Sequence, residues 1–299
     1  MEEKNMEMFQ QKIEFASLGK KGRFTLFEQI LAMLDGTMKT PDSFGWYHLL
    51  CIAIVVGLCA LIIHKRHVFT PMRIRLNVGF TALVLILFEV YKQLNFSYNA
   101  EADTWGYQWY AFPFQFCSTP MYVMLVASFL KEGKVQRSLY SFLATYGFFA
   151  GLAVMCYPND VFIETIGINI QTMVHHGFMV VAGVFMYATG AVKISHKTIL
   201  HALPTFASLV ALALTANILY HQFGDLDQTF NMFFISPYYA CTLPVLSTIS
   251  EHVPYLVFLA CYVFGFTAAG YIVSLLPMAA VKVNAKIRSV SNNKNVKYS

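Results

Sequence analysis

Charged residues are scarce in this 299-residue chain: 12% are Asp, Glu, Lys or Arg, against 57% hydrophobic residues. Such a composition excludes an ordinary soluble domain, in which about a quarter of the residues are charged. The six cysteines show no CxxC spacing, so the pattern predicts neither a disulfide framework nor a structural zinc site. The start also lacks a basic region followed by a short apolar stretch and a cleavage site, and we expect no removable signal peptide.

Long apolar runs are what the chain has instead. Seven segments approach or exceed the roughly 18–20 apolar residues that cross a bilayer; they are 46–63, 76–94, 112–130, 139–157, 166–189, 199–220 and 254–277. The sequence therefore predicts an all-α, polytopic membrane bundle of seven transmembrane helices in a domain over 46–277. Before it lies a tail, 1–45, with an amphipathic interfacial helix at 23–34. After it comes a basic tail, 278–299, predicted to be disordered.

Positive charge alternates from loop to loop. Lys and Arg occur in loops 64–75, 131–138 and 190–198, and none occurs in 95–111, 158–165 and 221–253. By the positive-inside rule, the C-terminus is predicted in the cytoplasm and the N-terminus outside, in a multi-pass protein of the cell membrane. The six Lys and Arg of the N-terminal tail, accompanied by seven Asp and Glu, oppose this orientation. We give the loop alternation precedence.

Polar side chains of the spans collect in their predicted outer halves. An ionisable residue at membrane depth is costly and usually marks a functional site. The candidates for substrate binding or catalysis are His48, Glu89, Lys92, Gln115, Cys117, His175, His176, Asn217, Asn231 and His252. We predict a shared polar cavity open to the outer leaflet. The alternative interpretation is a set of separate structural contacts.

Two adjacent histidines, His175 and His176, form the most informative pair. Histidine changes its charge near neutral pH, which suits it to general acid or base work. The two rings point about 100° apart around a helix, so we expect only one to work. Gly177 and Thr172 favour His176 as the one that faces the cavity. Alternatively, both rings form hydrogen bonds between helices.

Cys117 is the candidate nucleophile, in a stretch with Pro113 on one side and Pro120 on the other. A thiol there becomes reactive if an imidazole takes its proton. Most buried cysteines act only as small hydrophobic residues. Ser118 and Thr119 are rival nucleophiles on the same turn.

Four short motifs resemble those of a known family: Phe44-x-x-x-His48, Pro113-x-Gln115-x-Cys117, His175-His176-Gly177 and Asn231-x-Phe233-Phe234. The chain resembles the bacterial YwaF-like integral membrane proteins over residues 40–276. Those are similar to the vertebrate transmembrane acyltransferases that build polyunsaturated ether phospholipids through a cysteine nucleophile. The resemblance implies that Cys117 accepts the acyl group and that His175 or His176 is its base.

The first functional hypothesis is therefore a phospholipid acyltransferase that acts on membrane lipids. Cys117 would carry the acyl group as a thioester, and Gln115 or Asn231 would donate hydrogen bonds to the oxyanion. No nucleic-acid partner is predicted, because the chain has no basic patch with interleaved aromatic residues.

A transporter or small-molecule receptor without covalent catalysis is the alternative. Glu89 and Lys92, three residues apart on one helical face, would bind a polar solute or relay a proton, unless they only form an ion pair. A third possibility is metal binding by His48, one of the paired histidines and His252. These histidines show no diagnostic spacing, so we predict no metal and no cofactor.

Overall fold

The computed structural model describes Gln29 and residues 35–99 and 104–297, with side chains up to residue 281. The main helices are α1 (Trp46–Lys65), α2 (Pro71–Ser97), α3 (Thr119–Phe129), α4 (Lys134–Cys156), α5 (Ile166–Ala188), α6 (Thr198–Phe223), α7 (Leu246–His252) and α8 (Tyr255–Lys297). A two-stranded antiparallel hairpin, β1 (Tyr98–Asn99) and β2 (Thr104–Trp105), follows α2. The predicted amphipathic helix over 23–34 lies outside the described residues, apart from Gln29.

Six of these helices are long and apolar enough to cross a membrane. They are α1, α2, α4, α5, α6 and the part of α8 up to Val281. The predicted all-α, multi-pass membrane architecture is therefore confirmed. The α8 backbone stays helical through 278–297, where the sequence predicted a disordered tail.

The third predicted span, 112–130, is not a full-length helix. Only Thr119–Phe129, 11 residues, is helical, and residues 112–118 form irregular backbone. Pro120 sits in the first turn of α3, where a missing amide proton is tolerated, but proline disfavours helical backbone in the residue before it. At 1.5 Å per residue, α3 is about 16 Å long, roughly half the hydrocarbon thickness. Where the sequence predicted seven transmembrane helices, the described residues contain six helices of spanning length and one apolar helix of about half that length.

Helix α5 forms the centre of the bundle. In its most apolar window 78% of the residues are buried, against 6% for α1, which lies at the periphery. Helices α1, α2 and α4 all contact α5. The central position explains why the most polar span, which carries Asn169, Gln171 and the two histidines, tolerates these groups: its neighbours shield them from lipid.

A glycine allows α4 to approach α5 closely. A Cβ atom added at Gly151 would lie 2.8 Å from the backbone oxygen of His176 and 2.9 Å from the backbone nitrogen of Val180. Backbone atoms cannot move aside as a flexible side chain can. The contact therefore fixes the separation of α4 from the helix that carries the histidine pair.

We expect Gly151→Ala to lower the free energy of unfolding by about 1–3 kcal/mol, because the added methyl group forces α4 and α5 apart. Thermal unfolding of the protein in detergent micelles measures this loss. Gly57→Ala in α1 is the matched control: a Cβ there has no neighbour within 4 Å, and alanine favours helix by about 1 kcal/mol. Equal unfolding temperatures for the two variants would contradict this packing.

Candidate functional site

Three amide side chains fix the loop 231–236, and one of them, Gln115, joins this loop to the irregular segment 112–118. Gln115 Nε2 donates to the Asn231 oxygen at 3.0 Å, and Gln115 Oε1 accepts from Phe233 N at 2.9 Å. Asn217 binds both backbone groups of Met232, at 3.0 and 2.7 Å. We call Gln115, Asn217 and Asn231 the amide clamp.

The Asn231 side chain binds backbone groups farther along its own loop. Its Nδ2 donates to the Ala240 oxygen at 3.0 Å, and its Oδ1 accepts from Ser236 N at 2.9 Å. Both ends of all three clamp amides are thus engaged with backbone groups. Each amide uses its oxygen and one of its two N–H groups to satisfy backbone groups, which indicates a structural role.

The clamp holds strained backbone. Phe233 and Phe234 have positive φ angles of 61° and 57°, a left-handed conformation that is unfavourable for a bulky residue. Such backbone persists only where its surroundings enforce it. The Phe233 ring packs against Phe114 and Phe116, with centroids 5.9 and 5.5 Å away, and so contacts the segment that contains Cys117.

His175 contacts the Cys117 backbone directly. Its Nε2 lies 3.0 Å from the Cys117 carbonyl oxygen, and because a carbonyl only accepts, Nε2 carries the proton and donates. In the neutral ring, Nδ1 then holds a lone pair. That Nδ1 is buried and has no hydrogen-bond partner among the described residues. The residue that contacts the Cys117 backbone therefore also carries a ring nitrogen that can accept a proton.

His176 makes a different contact, and the space expected beside Gly177 and Thr172 is not open. Its Nδ1 donates to the Thr172 oxygen of its own helix at 2.8 Å. The space beside Gly177 is filled by Val55, since a Cβ on Gly177 would lie 2.7 Å from Val55 Cγ2. Both histidines are buried, and the structure brings His175 rather than His176 to Cys117.

Glu89 and Lys92 form the ion pair that their spacing allows. Lys92 Nζ lies 2.7 Å from Glu89 Oε1, and Gln93 Nε2 donates to the same oxygen at 2.8 Å. Glu89 Oε2 is buried without a partner among the described residues. Helix α2, which carries the pair, packs against α3, the helix that begins two residues after Cys117.

A tyrosine continues this network toward the end of the bundle. The Tyr107 hydroxyl donates to Gln93 Oε1 at 2.8 Å. Burial, and secondly the nearby Glu89 carboxylate, raise the pKa of Tyr107, so its hydroxyl stays protonated and remains a donor.

Two predicted site residues have separate structural contacts. His48 is fully buried; its Nδ1 accepts from Phe44 N at 2.9 Å, and its Nε2 donates to the Met155 oxygen at 3.0 Å. His252 is exposed, and its Nδ1 lies 2.7 Å from the Thr248 oxygen. Within the part of the chain that the structure describes, no three His, Cys, Asp or Glu side chains come together as a metal site would require.

Ser118 and Thr119, the rival nucleophiles, are both buried. The Thr119 hydroxyl donates to the Phe116 oxygen at 2.9 Å, which stabilises the start of α3. Of the three residues, Cys117 is the one whose backbone carbonyl His175 contacts.

Open space lies beside this cluster and not within it. One hollow of about 500 Å³ runs between α3, α4 and α6, from Tyr122 to Lys134, and another of about 400 Å³ lies near Trp109 and Phe230. Both are mainly apolar, and neither is lined by Cys117 or by a histidine of the pair. The shared outer cavity stays a prediction.

Sequence reasoning missed two residues of the cluster, Gln93 and Tyr262. Gln93 follows Glu89 by four residues, a spacing that places both on one helical face and could have revealed it. Tyr262 in α8 is fully buried, and its ring stacks on Phe266, which packs against Phe116 beside Cys117. One tyrosine of an apolar helix gives no sequence signal, because its direction depends on how α8 packs.

Fold and cluster together define a multi-pass helical membrane protein with a partly buried thiol near a buried imidazole and an ion pair. The chain belongs to the TMEM164 family, whose pattern matches residues 43–276. That range includes every site residue described above. Comparisons with curated proteins and with solved structures give no match.

We expect Asn217→Leu to lower the free energy of unfolding by about 1–3 kcal/mol, because both backbone groups of Met232 lose their buried partner. Thr215→Ala, two residues earlier in α6, is the control: its exposed hydroxyl bonds only to Ala211 of its own helix. It should change stability by less than about 0.5 kcal/mol. Chemical unfolding in micelles compares them, and an unchanged Asn217→Leu protein would refute the clamp.

Proposed function

We propose that this protein transfers acyl chains between phospholipids through a thioester on Cys117, with His175 as the base. The observation that carries the proposal is the His175 ring, which bonds to the Cys117 carbonyl through Nε2 and keeps a buried, unpartnered lone pair on Nδ1. A nucleophile beside a base that a third group orients is the usual arrangement for covalent acyl transfer.

The reaction needs no further reactant. The Cys117 thiol gives its proton to His175 as sulfur attacks the ester carbonyl of the donor lipid. Collapse of the tetrahedral intermediate expels the lysophospholipid oxygen, which takes that proton. In the second half, the hydroxyl of an acceptor lysophospholipid gives its proton to His175 and attacks the thioester, and the proton returns to the departing sulfur.

The ion pair supports this chemistry electrostatically. Helix α2, which carries Lys92, packs against α3 beside the Cys117 segment, and Glu89 limits the effect of the lysine charge by pairing with it. Glu89 is almost completely buried and Lys92 is partly buried. At such low exposure, charges act more strongly on their neighbours than they do in water.

The groove beside α3 offers a path for lipid. Because α3 is half-length, a mainly apolar hollow of about 500 Å³ opens between it, α4 and α6. At one end Tyr122 packs on Phe114, with ring centroids 6.4 Å apart, close to the Cys117 segment. Lys134 lines the other end. An acyl chain matches this apolar lining.

The orientation inferred from the loop charges is part of this proposal: N-terminus outside, C-terminus in the cytoplasm of a cell-membrane protein. Residues 112–118 and α3 together then make the third of seven passes. A reporter fused to the C-terminus and read from the cytoplasmic side tests the orientation.

We expect Cys117→Ala to abolish acyl transfer, since no thioester can form. The assay supplies purified protein with a labelled donor phospholipid and a lysophospholipid acceptor, and follows both product and protein-bound label. Cys59→Ala, at a partly buried cysteine of α1, should retain both. Transfer at the wild-type rate by the Cys117→Ala protein would remove this residue from the mechanism.

We expect His175→Gln to lower the transfer rate about 10²- to 10⁴-fold, the usual contribution of a general base. The glutamine amide can still donate to the Cys117 carbonyl, so thermal stability should stay close to wild type. His176→Gln is the matched control on the same helix and should lose less than about tenfold in rate. A fully active His175→Gln protein would show that the ring is only structural.

A further inference from the structure

Tyr262 of α8 is one of the few residues of that helix that face the protein interior. Only 17% of the apolar window of α8 is buried, yet the Tyr262 side chain has no exposed surface. Its ring stacks on Phe266 at 4.5 Å between centroids, and Phe266 packs edge-on against Phe116 at 4.8 Å. The tyrosine is thus joined by aromatic contacts to the residue that precedes Cys117.

The Tyr262 hydroxyl has no hydrogen-bond partner among the described residues. Burying a hydroxyl without a partner costs about 1–3 kcal/mol relative to a satisfied group. A phenylalanine would make the same ring contacts without that cost. The packing of α8 therefore does not explain why this position carries a hydroxyl.

Other polar side chains of the cluster already have partners. The Gln115 and Asn231 amides bind backbone groups, His175 Nε2–H binds the Cys117 carbonyl, and Lys92 is paired with Glu89. Among the cluster residues that the structure describes, the Tyr262 hydroxyl is a buried donor without a partner, and its ring is joined through Phe266 and Phe116 to the Cys117 segment.

Cys241 is the second thiol near Tyr262. It lies in the loop before α7, and burial raises the pKa of the Cys241 thiol. Cys117 is the thiol residue that His175 contacts, through its backbone carbonyl, and the charge that forms in the proposed reaction arises there.

We propose that the Tyr262 hydroxyl donates the hydrogen bond that stabilises the oxyanion of the tetrahedral intermediate on Cys117. The inference rests on the proposed acyl transfer. Attack by sulfur turns the ester carbonyl oxygen into an anion, which needs a positioned donor in a site without water. A hydroxyl that is unsatisfied in the resting protein gains its partner only as that charge forms, so the interaction favours the transition state over the ground state.

The test is Tyr262→Phe, which removes one oxygen and keeps the ring. We expect kcat for acyl transfer to fall about 10²- to 10³-fold, as on removal of one oxyanion donor, while KM changes less than about twofold. The unfolding temperature should stay the same or rise, because a buried unsatisfied hydroxyl is lost. A purely structural role would lower stability and leave kcat of the folded protein unchanged.

Tyr187→Phe is the matched control. Tyr187 in α5 is also buried, and its hydroxyl also lacks a partner among the described residues. It should gain the same stability and keep wild-type kcat. If Tyr262→Phe has a normal kcat while the wild type is active, the oxyanion role of Tyr262 is refuted and the proposed acyl transfer is not.

A second assay separates the two levels of the proposal. A nitrophenyl ester of a fatty acid acylates a reactive thiol and releases coloured nitrophenolate, with no lysophospholipid acceptor needed. A wild-type burst that Cys117→Ala lacks and Tyr262→Phe slows supports both proposals. A burst that Tyr262→Phe leaves unchanged refutes the oxyanion role only. No Cys117-dependent burst and no lipid transfer in the wild type would refute both.

Discussion

A backbone carbonyl or amide at membrane depth must find its hydrogen-bond partner inside the protein, because the lipid offers none. The irregular segment 112–118 brings this constraint into the bundle, and the rest of the site can be understood from it. His175 donates to the Cys117 carbonyl, and Gln115 exchanges hydrogen bonds with residues 231–233. The unwound segment is tolerated because it is enclosed between α2, α5, α8 and the loop that the amide clamp shapes.

The same enclosure explains the chemistry that we propose. Unwinding exposes a thiol on a short bend and leaves α3 at half length, with an apolar groove beside it. Three buried polar atoms of the cluster have no partner among the described residues: Glu89 Oε2, His175 Nδ1 and the Tyr262 hydroxyl. Leaving such an atom without a partner is unfavourable. An ester bound among them would be close to the His175 base, the Glu89 carboxylate and the neutral Tyr262 hydroxyl.

Much of the fold could be predicted from the sequence. The structure begins α5 at Ile166 and α8 at Tyr255, within a residue of the predicted starts, because an apolar run of spanning length has few alternatives in a membrane. Proline explains the exception at 112–130. The effect of proline on the local backbone could be recognised from the sequence. Whether half of the helix is lost depends on side chains of other helices, which must form hydrogen bonds with the backbone groups that are no longer paired within the helix. The ion pair of Glu89 and Lys92 followed from their spacing on one helical face.

By itself, the sequence determined the class of protein, its apolar spans and the residue types that a membrane does not bury without cause. Composition and periodicity are local properties, and they are legible without any knowledge of neighbours. Only the tertiary structure decided which histidine meets Cys117, which amides support backbone, and that Tyr262 belongs to the cluster. These outcomes depend on the rotation of α5 and α8 about their axes. Close contacts at Gly151 and Gly177 set the fit of α5 against its neighbours, and a linear pattern does not encode them.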